Sequence, residues 1–247
     1  MCLSCFDNLL NIKTTYFIEI LKGSEHIMSR IRVFTGHFGS GKTEIAINYA
    51  INLAKEGKKV VIADLDIVNP YFCVRDVRKE LEEYGIRVIA SDPELVNAEL
   101  MVVPAEIIAI FNDKSYEVVI DVGGDDSGSI ALGQYNRFFV EEPYDMFFVI
   151  NTNRPFTSTS TDIVEYFKAI ERASRLKVTH LISNTNLSYE TTPQHVIDGD
   201  KVVAQLSKEL NIPHAYTVCS KDLIEKMTGK LQGDIFGIDI HMLPPWR

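Results

Sequence analysis

The chain has 247 residues, 46% of them hydrophobic and 24% charged, and a formal charge of −9. That size and composition suit a single soluble α/β domain and exclude a largely disordered chain. The acidic balance argues against a broad nucleic-acid-binding face, which needs Lys and Arg to neutralise phosphates. No stretch reaches the roughly 18 to 20 apolar residues of a membrane span, and the N-terminus lacks the basic and apolar regions of a secretion signal. A cytoplasmic location is therefore expected.

Residues 1–27 precede the first convincing strand, and read either as a loose extension or as a mis-called start ahead of Met28. Within them, Cys2-x-x-Cys5 has the spacing of half a zinc or iron–sulfur site, but no second such pair follows to complete one. Cys73 and Cys219 are too scattered to suggest a disulfide framework. From Ile31 onward, short apolar runs predict strands at Ile31–Thr35, Lys59–Ala63, Ile86–Ala90, Glu117–Asp121, Met146–Asn151, Val178–Ser183 and His214–Val218. Helical patterns fall between them at Lys42–Lys55, Val74–Tyr84, Pro104–Phe111, Thr161–Ala173 and Asp200–Leu210, with Gly57 and Gly85 as C-terminal stops. Continuous apolar strands alternating with helices predict a three-layer, doubly wound α/β domain around a mostly parallel sheet. The Ser/Thr run Thr157–Thr161 reads as capping chemistry, with Thr161 or Asp162 near a helix start.

Three segments carry chemistry. The first is "IRVFTGHFGSGKTEIAINYA", in which Gly36 is followed after four residues by Gly41-Lys42-Thr43, between a predicted strand and an amphipathic helix. Glycines at 36, 39 and 41 let backbone N–H groups approach phosphate oxygens, Lys42 supplies a point charge, Thr43 offers a hydroxyl to Mg²⁺, and the helix dipole faces the anion. The candidate nucleotide contacts are therefore Gly36, His37, Phe38, Gly39, Ser40 and Gly41, continuing into Lys42, Thr43 and Glu44. A match to this spacing arises by chance on the order of once in a hundred chains of this length.

The second segment, "KKVVIADLDIVNPYF", places Asp64 and Asp66 at a strand's C-terminal end, the edge at which doubly wound sheets bind ligands. One of these carboxylates can hold Mg²⁺ through water while the other orients the attacking water. The third, "YEVVIDVGGDDSGS", ends an apolar strand on Asp121, where phosphate-loop enzymes keep a Mg²⁺-associated acid, and continues through Gly123 and Gly124 into a loop. Asp125 and Asp126 read as solvated loop acids. His180, His195, His214 and His241 show no metal spacing, and Trp246 near the C-terminus reads as a core cover.

These elements, in this order, resemble the MinD/ParA/Mrp and ArsA branch of phosphate-loop ATPases, and the similarity runs from about Arg30 to Val218. It continues into "FFVINTNRPFTSTSTDIVEYF" and "HLISNTNL". The resemblance implies that residues 28–247 form one nucleotide-binding domain using ATP and Mg²⁺. It further implies that Thr43 coordinates the metal, Asp64 and Asp121 hold it through water, Lys42 and Asp66 act in hydrolysis with Asp66 positioning water, and Asn184 and Pro213 flank adenine. Two departures stand out. Dimerising members carry Lys after the first loop glycine where this chain has His37, so a nucleotide-sandwiched dimer is not expected. The segment "SNTNL" has Leu187 where guanine-selective proteins carry Asp, which favours ATP over GTP. The resemblance implies a slow ATPase that switches an unidentified protein partner. Two alternatives stay open: a small-molecule kinase or ligase related to dethiobiotin synthetase, with "NPYFCVRD" near the acceptor, or a nucleotide-loaded interaction module without useful turnover.

Overall fold

The computed structural model describes residues 28–66, 73–90 and 106–242. Cys2, Cys5, Trp246, the segment 1–27 and part of "NPYFCVRD" lie outside them. In chain order the elements are β1 (Ile31–Thr35), α1 (Lys42–Lys55), β2 (Val60–Leu65), α2 (Arg78–Glu83), β3 (Arg87–Ile89) and α3 (Glu106–Asn112), followed by β4 (Glu117–Val122), α4 (Asp126–Gly133) and α5 (Asn136–Glu141). The second half runs β5 (Tyr144–Ile150), α6 (Ser160–Ser174), β6 (His180–Ser183), α7 (Pro193–Leu210), β7 (His214–Ser220), α8 (Ile224–Met227) and β8 (Asp234–Ile238).

All eight strands join one sheet in the order β3-β2-β4-β1-β5-β6-β7-β8, and every pairing is parallel. The expected mostly parallel sheet is thus wholly parallel. Its strands are apolar without alternation because both faces are covered. Val33, Ile120 and Phe148 pack with Ile107, Ile163 and Phe167 on one face. Phe34, Val119 and Phe147 pack with Ile47, Ala50 and Leu81 on the other. Helix α1 is buried over most of its length, which seats its N-terminus, and the loop before it, firmly against the sheet.

Several boundaries differ from the expectation, each for a local reason. Strand β8 was not anticipated, because "DIFGI" is a half-exposed edge strand paired only with β7. Helix α4 is hidden in the Ser- and Gly-rich stretch "DSGSIALG", and α5, "NRFFVE", is too short to show a helical period. Helix α7 begins at Pro193 rather than Asp200. Its start is secured by a reciprocal cap, the Thr192 hydroxyl accepting from the His195 N–H at 3.4 Å and His195 Nδ1 from the Thr192 N–H at 3.2 Å. Gly199, a breaker in the sequence pattern, sits inside that helix where any Cβ would come 2.1 Å from Thr185 Oγ1. Helix α6 starts at Ser160, beside Thr161 and Asp162, and its cap lies within the expected Ser/Thr run: the Thr159 hydroxyl accepts from the Asp162 N–H at 3.2 Å. Gly57 and Gly85 do end helices, with φ of 79° and 75°. Among the described residues, no helix is long and apolar enough to cross a membrane.

The Asn48 amide is one of the groups that fasten the chain after β8 to α1. Asn48 Nδ2 donates to the Asp239 carbonyl at 2.8 Å, and Asn48 Oδ1 accepts from the Asp239 N–H at 2.9 Å. Truncation would leave both backbone groups without a partner. Asn48→Ala is therefore expected to cost about 2 kcal/mol, or roughly 4–8 °C in Tm for a chain of this size. Thermal unfolding measures it, and an unchanged Tm would rule out the clamp.

Candidate functional site

The C-terminal ends of β1, β2, β4, β5 and β6 converge on the loop between β1 and α1. Gly41 ends that loop at φ 84°, and a Cβ there would approach Asn184 Nδ2 to 2.3 Å. Position 41 thus has to be glycine both for its left-handed backbone and for the neighbour it touches. Asn184, just past β6, donates through Nδ2 to the Ser40 carbonyl at 2.7 Å. Asn151, just past β5, donates to the Asn186 carbonyl at 3.2 Å and to the Gly39 carbonyl at 3.5 Å. The loop is therefore braced from behind by two buried asparagine amides.

Register assembles the acids. Asp64 of β2 pairs directly with Asp121 of β4, and Asp121 in turn lies opposite Phe34 of β1, one residue before the strand's end. Lys42, at the start of α1, reaches into this group and places Nζ 3.1 Å from Asp66 Oδ2. Asp66 also donates its backbone N–H to Asp64 Oδ1 at 2.9 Å. Arg75 stands farther off, 4.0 Å from Asp64 Oδ2. Lys42, Asp64, Asp66 and Asp121 are all buried.

Burial of so much like charge has a price in protonation. Burial pushes Asp121 up to about 7 against the attraction of Lys42, and pushes Asp64 up to about 6 against the hydrogen bond from the Asp66 N–H. Burial would also depress Lys42, but Asp121 and then Asp66 outweigh it and hold the ammonium above its ordinary value. Thr43 faces Asp121 and helps restrain its pKa, yet neither Asp121 oxygen has a hydrogen-bond partner by distance and angle, and Asp64 Oδ2 and the Ser40 hydroxyl have none either. Buried oxygens of this kind, beside a hydroxyl and behind a glycine cradle, suit a divalent cation bound through phosphate and water. Among the described residues, no three His, Cys, Asp or Glu side chains form a protein-only metal cage. Mg²⁺ is usually held by few side chains together with waters and phosphates, so the residues present fit it.

These shifts set a pH dependence. Both carboxyls keep protons in the folded protein that the unfolded chain releases near pH 4, so stability falls as pH rises from about 4 to about 7 and then levels off. Asp121→Asn is expected to raise the stability of the nucleotide-free, metal-free protein at pH 7.5 by about 2 kcal/mol and to flatten that slope. Thermal scans between pH 4.5 and 8 measure both, and a variant less stable than its parent at pH 7.5 would contradict the assignment.

Other candidates fall elsewhere. The Glu44 carboxylate accepts from the His241 and Met242 N–H groups at 2.7 and 3.1 Å, so its side chain anchors the chain after β8 rather than facing the loop. Pro213 precedes β7, whose Thr217 pairs with Ser183. The Pro213 carbonyl accepts from the Leu181 N–H at 2.8 Å, so Pro213 lies level with the start of β6, three residues or roughly 10 Å along the sheet from Asn184, towards the opposite edge. A parallel strand presents only its C-terminal end to this site, and Pro213 is at the other end. Asp125 is a helix cap, accepting from the Gly128 N–H at 2.9 Å, not a free loop acid. His37 packs its ring against Tyr166 and Phe156 at centroid distances of 4.8 and 5.4 Å. Tyr166 donates its hydroxyl to the Gly124 carbonyl, where a Cβ on Gly124 would come 2.6 Å from the Phe38 nitrogen. The loop after β4 is thus pressed onto the phosphate loop.

Sequence reading passed over Arg154, whose Nε donates to the Gly39 carbonyl at 3.1 Å. Its available signal was a cation four residues past a strand end on the ligand edge.

No protein-family model matches the sequence, and no curated protein matches it either. Among solved structures, the architecture is similar to cell division protein FtsY from Thermotoga maritima, with a TM-score of 0.54 and 20% identity, over 82% of this chain and 67% of that one. It is also similar to FtsY from Mycoplasma mycoides, with a TM-score of 0.50 and 16% identity, over 85% and 69% of the two chains. The fold is that of a P-loop NTPase. At these identities the likeness establishes the P-loop architecture, and the chain spans about two thirds of the length of these proteins.

Proposed function

We propose that this P-loop protein is a Mg²⁺-dependent ATP-binding protein of the MinD/ParA/Mrp kind. In this reading it hydrolyses ATP slowly and uses its nucleotide state to engage or release a protein partner. The observation that carries the reading is the burial of Lys42 among Asp64, Asp66 and Asp121 directly behind a glycine loop. A structural ion pair would need one carboxylate. Three carboxylates around Lys42, with Arg75 farther off and two of the three carrying oxygens without a hydrogen-bond partner, suit a site that takes up further cationic charge together with phosphate.

The residues divide the work. Backbone N–H groups of the loop and the N-terminus of α1 face the phosphates, and Lys42 turns from Asp66 to them. Thr43, with Asp64 and Asp121 acting through water, would hold Mg²⁺, which when bound neutralises phosphate charge. Asp66, once released by Lys42, is left beside the loop after β4 as the group that accepts from and orients water. Phe38 and Phe156, exposed by 62% and 69% beside His37, form the apolar rim that a partner would touch as the loop responds to nucleotide. Leu187 in place of an acid supports ATP over GTP.

Calorimetry with Mg·ATP and Mg·GTP, followed by phosphate release under single-turnover and steady-state conditions, tests the reading. Micromolar ATP binding with turnover slower than about 1 s⁻¹ is expected, the slow end for such enzymes. No nucleotide binding would refute it.

A further inference from the structure

The loop carries His37 and no lysine at that position, and a cation from elsewhere in the chain stands beside it. Arg154 lies in the turn after β5, and its Nε donates to the Gly39 carbonyl at 3.1 Å. Gly39 has φ 75°, and a Cβ there would come within 3.0 Å of Arg154 Nε and 3.3 Å of Cζ. The guanidinium therefore lies on bare loop backbone that any side chain at 39 would displace. Arg154 is exposed, and among the described residues no carboxylate pairs with it.

The turn beneath it is rigid. Asn151 is fully buried; its Oδ1 accepts from the Asn153 and Asn186 N–H groups at 3.0 and 3.3 Å, and its carbonyl accepts from the Thr157 hydroxyl at 2.6 Å and from the Arg154 N–H at 3.3 Å. Backbone placement is thus set, while among the described residues no hydrogen bond engages the terminal guanidinium nitrogens. Location decides which phosphate they would meet. The loop from Gly36 to Phe38, which leads into Gly39, borders Gly124, and a Cβ on neighbouring Gly123 would come 3.1 Å from Asp66 Oδ1. The Ser40–Gly41 half is backed instead by Asn184. Arg154 therefore flanks the half of the loop nearest Asp66, where water would attack.

We propose that Arg154 is a charge-stabilising residue supplied within the same chain, contacting the terminal phosphate of the bound triphosphate in place of a lysine at position 37. The inference rests on the ATP-hydrolysis reading given above. In that reaction the water oxygen bonds to the terminal phosphorus, and the bridging P–O bond breaks with its electron pair leaving on ADP. The water proton passes through Asp66 to the released phosphate. Arg154 makes and breaks no covalent bond; its charge offsets negative charge on the terminal oxygens, where a planar, permanently protonated group is most effective.

The test compares the parent with Arg154→Ala and Arg154→Lys in Mg·ATP and Mg·ADP calorimetry and in phosphate release. Expected for Arg154→Ala are turnover lower by about 10²-fold or more, ADP affinity within about threefold of the parent, and partial recovery of turnover with millimolar guanidinium. Arg154→Lys is expected to keep most of the ATP affinity and little of the turnover. Equal losses of ATP and ADP affinity, or turnover within threefold of the parent, would overturn the proposal by reducing Arg154 to a loop brace. Should the parent bind ATP without hydrolysing it, the ATP-to-ADP affinity ratio decides: a ratio unchanged in Arg154→Ala overturns the role, and one that falls supports contact with the terminal phosphate. A parent that binds neither nucleotide refutes the phosphate-loop reading itself, and this proposal with it.

Discussion

Lys42→Ala is expected to weaken Mg·ATP binding by more than tenfold and, in the same protein, to lower stability in a pH-dependent way. The first effect follows from loss of a charge-assisted phosphate contact worth about 1.5–3 kcal/mol. The second follows from what Lys42 does without nucleotide. It is the buried partner of Asp66 at 3.1 Å and the main attraction restraining the pKa of Asp121. Removing one member of a buried ion pair strands the other charge, typically at a cost of roughly 3–5 kcal/mol. The sign can be worked out. The Lys42 pKa is raised, so in the parent its contribution is fully present below the unfolded value of 10.5 and is lost only above the folded pKa, beyond the working range. In the variant Asp64 and Asp121 lose the cation that restrains their raised pKa values, which climb further, so its deficit is larger at pH 8 than at pH 5.5. Calorimetry and thermal unfolding at those two pH values check both halves. Unchanged ATP affinity would remove the phosphate-loop assignment, and a pH-independent deficit would show that Lys42 does not balance the acids.

Asp66→Asn separates binding from turnover. The amide keeps the side chain's shape but cannot act as a carboxylate base, so ATP affinity is expected to stay within a few-fold of the parent while turnover falls by roughly 10²-fold or more. Asp64 is the control, because its Oδ1 is engaged by the Asp66 N–H and its partner across the sheet is Asp121. Asp64→Asn should weaken dependence on Mg²⁺ more than it slows the saturated enzyme. Single-turnover phosphate release with a Mg²⁺ titration resolves the two. The reverse pattern, with turnover surviving in Asp66→Asn and abolished in Asp64→Asn, would exchange their roles.

The positions of the glycine loop and of the acids at the strand ends are legible in the chain, for physical reasons. A phosphate loop is local: the glycines, Lys42 and Thr43 act through backbone conformation and a helix start within a few residues, so their spacing is visible in the chain. Asp64, Asp66 and Asp121 were visible because a covered parallel strand is a continuous apolar run, and an acid ending such a run stands out. Pro213 was misplaced because proximity to an apolar run does not say which end of the strand a residue occupies. Asn184 is expected beside adenine; what only the tertiary structure adds is that its amide donates to the Ser40 carbonyl, a pairing 144 residues apart in sequence. Glu44 follows the motif, yet its side chain is drawn to His241 and Met242 nearly two hundred residues later.

Sequence by itself determined the fold class, the phosphate loop and the acids, because hydrophobic periodicity and tight-turn stereochemistry are properties of neighbouring residues. Tertiary structure alone decided that Asp64 lies opposite Asp121, that Lys42 reaches Asp66, that the glycines after β4 press onto the loop, and that Arg154 rests on Gly39. Each depends on strand order and register. The chain places β4 between β2 and β1 only when the sheet assembles, and the low dielectric that raises the pKa values of Asp64 and Asp121 exists only once helices cover both of its faces.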